Sequence, residues 1–174
     1  MWNFKDKDVY LAAVADLLDH PAVRSMEELP QHAKGFSCFH HSVLVSYWSW
    51  RLASRLGLDA TAAARGGLLH DLYLYDWQSQ RAPNGRWHGT EHPKQALRNA
   101  EALFELSDKE RDIIVKHMWP LTLVPYRYWE SCIVSCVDKV CAVAELLSAV
   151  PAAGDFQGQP APVLSLPGLH ADAA

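Results

Sequence analysis

Residues 40–71 read HHSVLVSYWSWRLASRLGLDATAAARGGLLHD, and this stretch decides the fold. His41, Val45, Trp48, Leu52 and Leu56 recur at the spacing of one helix face, so 41–57 is predicted to be a helix with that stripe turned inward. Gly57 suits its C-terminal cap, since glycine adopts the left-handed conformation without a Cβ penalty. Asp59 can cap a second helix, TAAARGGLLHD, whose Ala and Gly content allows close helix–helix approach.

The same period extends outward in both directions. Segment 7–19 reads as a helix ending at His20-Pro21, and 21–39 as mostly connection. Residues 78–91, with Pro, Asn-Gly and Gly, read as a loop. A helix is predicted from near Pro93 to about Leu106. Ser107-Asp-Lys-Glu110 is a capping-box pattern opening a short helix that must stop before Pro120. The last helix is predicted over 128–148, with Ile133, Val137, Val140, Ala144 and Leu147 on its buried stripe. No alternating strand pattern survives, so the fold class is all-α, one domain over 1–150. Residues 151–174 turn to Pro, Ala and Gly with almost no charge and are expected to be a flexible tail.

Composition narrows the function. The chain has 174 residues, 49% apolar and 21% charged, which is globular and not disordered. A net charge of −4 does not suit a protein that coats nucleic acid or an anionic membrane. There is no apolar run of membrane-spanning length, and MWNFKDKDVY has no signal-peptide core, so a cytoplasmic location is expected. Cys38, Cys132, Cys136 and Cys141 lack zinc-site spacing and read as reduced, buried thiols.

Five segments each carry His or Asp where an apolar residue would be expected: His41, the pair His70-Asp71, His92, His117 and Asp138. Buried imidazoles and carboxylates are costly unless paired or bound to metal. Four His and two Asp suit Fe, Mn, Co, Ni or Zn. Six ligands with one bridging carboxylate fit two divalent cations.

The order His41, His70-Asp71, His92, His117, Asp138 resembles the HD-domain superfamily of metal-dependent phosphohydrolases. HHSVLVSYWSWRLASRLGLD resembles its first-motif helix, with His41 and not His40 in the ligand position. ARGGLLHDLYLYDW is similar to the segment around its doublet, HPKQALRNAE to its second-metal motif and VSCVDKVCA to its closing Asp helix. The resemblance covers about residues 37–148 and implies a helical bundle with the metal site between core helices. In the mononuclear pattern His41, His70, Asp71 and Asp138 hold one metal. In the binuclear pattern Asp71 bridges, and His92 and His117 hold a second. After His117 the sequence is Met118-Trp119-Pro120, which departs from the glycine-rich signature of the cyclic-dinucleotide branch.

The implied activity is hydrolysis of a phosphate mono- or diester, nucleotides included, by a metal-activated water. The implied partner is a small phosphoester, with no nucleic-acid polymer and no membrane. Asp71 and Lys139 are the expected catalytic residues, with Asp76 the nearest counterpart of an acidic residue in nucleotide-cleaving members. Lys139, His88, Lys94 and Arg98 are the expected substrate-binding groups, His88 from a loop at the site mouth. Tyr75, Trp77, Trp87 and Trp119 lie near ligands and suit either base stacking or the core. The same ligand pattern resembles the mixed-valent di-iron oxygenases of the superfamily, and a metal-stabilised regulatory domain without catalysis is a third reading.

Overall fold

The structure, a computed structural model, describes residues 4–31, 35–79 and 81–149. The segment 151–174, expected to be a tail, lies outside them. The chain forms α1 (Phe4–Leu18), α2 (Pro21–Arg24) running into a 3-10 turn (Ser25–Glu28), α3 (Cys38–Arg55), α4 (Ala60–Leu69), α5 (His88–Leu103), α6 (Asp108–Lys116) and α7 (Trp129–Ala149). Among the described residues there is no strand, only one isolated bridge between Pro30 and Ser37. The fold is all-α. No helix among these residues is long and apolar enough to cross a membrane.

The caps set where the helices start. Ser37 Oγ accepts from the His40 amide and opens α3. Gly57, at φ +67°, follows the end of α3 in the left-handed region that glycine favours. Asp59 accepts from the Ala62 amide and opens α4. Ser107 and Glu110 exchange side-chain and backbone hydrogen bonds in the expected capping box of α6.

Helix α4 is central and touches α1, α3, α5, α6 and α7. Its glycines make that possible. A Cβ on Gly67 would lie 3.0 Å from the Ser46 Cα, and one on Gly66 would lie 2.8 Å from the Ile113 side chain. One apolar cluster around Val14, Leu17, Leu68, Leu69 and Leu72 ties α1, α3 and α4. A second, with Val45, Ala63, Ile113 and Val134, ties α3, α4, α6 and α7.

Several expectations need correction. The α3 stripe stays inside only over its first turns, at His41 and Val45: Trp48 is 38%, Leu52 40% and Leu56 60% exposed. Where α3 meets α4 it presents the small, buried Ser46, because Gly67 brings the two backbones too close there for a larger side chain; Ser42 and Ser49 of α3 are buried too. On α7 the same happens to Val140 and Leu147, 68% and 69% exposed. Region 21–39 contains α2 and a 3-10 turn and is not all connection. The loop over 78–91 ends at Trp87, and α5 begins at His88 with Pro93 inside it. Pro93 sits near enough to the start that only its bond toward Gly89 is given up. All four cysteines are free, but Cys136 is exposed and Cys132 only half-buried.

Candidate metal centre

All six predicted ligands converge. His41 comes from the first turn of α3, and His70 and Asp71 from the end of α4. His92 comes from α5, His117 from the end of α6 and Asp138 from the middle of α7. All six side chains are buried. After the doublet the chain turns sharply, with Leu74 at φ 57°, a strained value for a branched residue.

Asp71 lies between two groups of imidazoles. Its Oδ2 is 3.4 Å from His70 Nε2, and its Oδ1 is 3.4 Å from His92 Nε2 and 3.6 Å from His117 Nε2. Asp138 Oδ1 lies 3.1 Å from His41 Nε2 and 3.6 Å from His70 Nε2. Two overlapping groups therefore have ligand atoms within 4.8 Å of one another: His41, His70 and Asp138, and His70, Asp71 and His117. These buried clusters can hold a metal ion.

The imidazoles are fixed from behind. His70 Nδ1 donates to the Gly67 carbonyl at 2.7 Å, His92 Nδ1 to His88 O at 2.9 Å, and His117 Nδ1 to Ile114 O at 2.8 Å. His41 Nδ1 donates to Glu145 Oε1 at 2.7 Å. With every Nδ1 committed, every Nε2 is directed to the centre, the arrangement of metal-ligating histidines.

The donor set fits a cation on two further counts. His70 Nε2 and Asp71 Oδ1 are buried without a hydrogen-bond partner. His92 Nε2 and His117 Nε2 face each other at 2.8 Å. Two acceptors that close repel unless a proton or cation stands between them, and two nitrogens at right angles on one metal are about 3.0 Å apart.

The electrostatics divide the centre. Burial opposes charge on His41, but the Asp138 and Glu145 carboxylates outweigh it and push His41 up to about 10. His70 is also raised, burial being outweighed by Asp71 and Asp138. Burial, then repulsion from His70 and His92, holds His117 down to about 3, and His92 is lowered mainly by burial. Burial would raise Asp71, yet the surrounding histidines hold it below the ordinary carboxylate range. Asp138 is held well below that range by His41 and His70, against its own burial. Without metal, then, positive charge is favoured on the His41 and His70 side, beside the carboxylates, and disfavoured on the His92 and His117 side.

Over the ligands lies a cavity of about 130 Å³ walled by Gln31, Tyr73, Trp77, His88 and Met118. Gln31 was missed in the sequence. Its Nε2 donates to Asp71 Oδ2 at 2.7 Å, and its Oε1 accepts from Tyr73 OH at 3.1 Å. Glu145 was missed too, although it stands two turns after Asp138 on the same face of α7. His88 reaches the cavity as expected, but from α5 and not from a loop. Its ring stacks on His92 at 4.4 Å and on Trp77 at 5.1 Å, and its Nδ1 meets Tyr75 OH at 2.8 Å. Of the aromatics singled out, Trp77 lines the cavity and Tyr75 backs it, whereas Trp87 is 62% exposed.

The other expected residues stand elsewhere. Lys139 Nζ donates to the His117 carbonyl at 2.9 Å and to Ser135 Oγ at 2.7 Å, behind the ligand and outside the cavity lining. Lys94 and Arg98 pair with the buried Glu91 at 3.5 and 3.4 Å. Asp76 caps its own loop through the Gln78 amide and Ser79 Oγ. His40 accepts no ligand position and sits on the Ser37 hydroxyl. Each of these five polar groups has a local partner outside the cavity lining.

The chain matches no family model. No solved structure matches it.

Proposed function

We propose that this protein is a metal-dependent phosphohydrolase of the HD type, acting on a small phosphate mono- or diester. The observation that carries the reading is Asp71. Its two oxygens face different imidazoles, and every imidazole around it is anchored through Nδ1. His41, His70, Asp71 and Asp138 would hold one divalent cation, and Asp71, His92 and His117 a second. Bound there, the pair would supply positive charge for phosphate oxygens and a more acidic water as nucleophile. Gln31 holds Asp71 in its bridging orientation. Tyr73, Trp77 and His88 line the approach to these ligands, where a small phosphoester would enter. Asp71, Asp138 and Glu145 would leave the loaded site net positive, so anion affinity depends on loading.

One observation favours a second reading. Among the described residues lining the cavity there is no Lys or Arg. Such a site also suits oxidation by a di-iron member of the superfamily, whose reacting group need not be a phosphate.

Metal content of the purified protein, followed by a phosphoester panel with Mn²⁺, Co²⁺ or Ni²⁺, tests the assignment. Asp71→Ala is expected to abolish bound metal and turnover together. Full activity in Asp71→Ala ends the proposal. Oxygen uptake and a mixed-valent iron EPR signal, without phosphoester turnover, select oxidation instead.

A further inference from the structure

The last turn of α6 is held by α7. His117 ends that helix, and the final carbonyls of a helix lack partners within it. The His117 carbonyl has two on α7: Ser135 Oγ donates to it at 2.5 Å and Lys139 Nζ at 2.9 Å. Ser135 is buried, and its one hydroxyl proton goes to that carbonyl. The Ser135 oxygen in turn accepts from Lys139 Nζ and from Tyr126 OH, each at 2.7 Å. Lys139 Nζ also donates to the Ser135 carbonyl at 3.2 Å. The ammonium thus stands at the negative end of α6, where a cation is favourable.

The imidazole needs this tie for a geometric reason. His117 Nδ1 donates to Ile114 O, inside its own turn. That bond sets the tautomer and the ring angle, but it does not fix where the turn stands against the rest of the centre. Helix ends fray, and the segment that follows carries Leu121, Leu123 and Val124 exposed, so it does little to hold the turn. Two serines one turn apart on α7 do hold it. Ser131 Oγ donates to Asp112 Oδ2 at 2.7 Å within α6, and Ser135 grips the end. Asp138 lies between Ser135 and Lys139. The turn of α7 that presents Asp138 to His41 and His70 therefore also holds the backbone of His117.

We propose that Ser135 and Lys139 are positioning residues for the second cation: they clasp the His117 carbonyl and hold the imidazole where its Nε2 lies 2.8 Å from His92 Nε2 and 3.6 Å from Asp71 Oδ1. This rests on the HD-type reading of the centre and adds what fixes its His117 side. Lys139 then acts through a ligand and not on the substrate, in keeping with its place outside the cavity lining. The clasp acts on one half of the centre alone. His41 is anchored by Glu145 and His70 by the Gly67 carbonyl, and neither bond involves Ser135 or Lys139.

Stepwise Co²⁺ titration of the metal-stripped full chain, followed by d–d absorption, tests this. His117→Ala marks the loading phase to follow. Ser135→Ala and Lys139→Met are each expected to weaken that phase about tenfold and to shift its absorption, as loss of an outer partner of a ligand does. The other phase and the circular dichroism melt should stay at their wild-type values, since Ser131–Asp112 and the buried Ile113 and Ile114 still hold α6. Lys139→Arg keeps a charged donor and is expected to restore the phase to within threefold of wild type. Two cations bound by wild type, with the His117 phase unmoved in Ser135→Ala and Lys139→Met, overturns the clasp and leaves the HD-type reading standing. Both phases falling together with a lowered melting temperature overturns it too, because that pattern is loss of fold. So does a wild type whose bound cation is indifferent to His117→Ala. A wild type that binds no cation overturns the clasp and the HD-type reading together.

Discussion

Glu145 tests the centre without being one of the six candidate ligands itself. Its Oε1 accepts from His41 Nδ1 at 2.7 Å, and both side chains are buried. It therefore sets which imidazole nitrogen would face a bound cation and makes that nitrogen more basic. Glu145→Gln keeps the volume and an acceptor oxygen but removes the charge. A charge-assisted hydrogen bond is worth about 1 kcal/mol more than a neutral one, so binding on the His41 side is expected to weaken roughly fivefold. Glu145→Ala removes the acceptor altogether, and a loss approaching 100-fold, or about 2.8 kcal/mol, is expected. The effect should be one-sided. His92 and His117 are anchored by the carbonyls of His88 and Ile114, which the substitution leaves in place. Competition against a fluorescent chelator, using metal-stripped protein and Zn²⁺ or Mn²⁺, reads both phases of loading. Only the phase that involves His41 should move. Circular dichroism melting separates lost affinity from lost fold. A folded Glu145→Ala protein that binds both equivalents within twofold of wild type would show that Glu145 supports no metal ligand, and the anchoring argument would fall.

Gly67→Ala should cost about 1–3 kcal/mol, because its Cβ would press on the Ser46 backbone at 3.0 Å, which cannot swing aside as a side chain does. The melting temperature should fall by several degrees, and metal affinity should fall with it, since the Gly67 carbonyl anchors His70; an unchanged melt contradicts the close α3–α4 contact. Asp112 gives a pH test away from the metal. Burial would raise its pKa, but Lys116 at 2.5 Å and Ser131 Oγ at 2.7 Å hold it below the ordinary value. A carboxylate with a depressed folded pKa contributes stability that is fully present above its unfolded pKa of about 3.9 and is lost as pH falls through the folded value. Asp112→Asn should therefore be less stable than wild type in urea at pH 7, with the gap closing in acid; an equal deficit at both ends contradicts the assignment.

The six candidate ligands were legible because each breaks an apolar period, and a titratable group in such a place has few inexpensive explanations. The caps at Asp59 and Ser107 were legible because their chemistry is local. The supporting residues were harder. Gln31 sits in a connection with no period, and its role exists only because the chain returns forty residues later with Asp71. Glu145 did leave a signal, a second carboxylate two turns after Asp138 on an otherwise apolar face, and both now prove buried. The basic residues misled for the opposite reason. Lys94, Arg98 and Lys139 are near ligands in sequence, but helix geometry turns them toward Glu91 and the His117 carbonyl.

The two misplaced stripes share one cause. On α3 the apolar period was followed through Trp48, Leu52 and Leu56, while the buried face was the serine face, Ser42, Ser46 and Ser49. Ser46 is satisfied there by donating to the Ala64 carbonyl at 2.7 Å and accepting from Tyr10 OH at 3.1 Å, so burying it leaves no unpaired hydroxyl. A hydrophobicity pattern reads such serines as exterior. On α7 the metal side likewise occupies the inner face with Asp138 and Glu145, displacing the apolar residues outward. Both helices thus spend their inward faces on close packing and on the polar centre, and both carry apolar residues that stay exposed among the described residues. The period was real. It ran through His41, Val45 and Ile133, which are buried, and through Leu56, Val140 and Leu147, which are exposed, because an apolar period marks a helix face without saying what that face packs against.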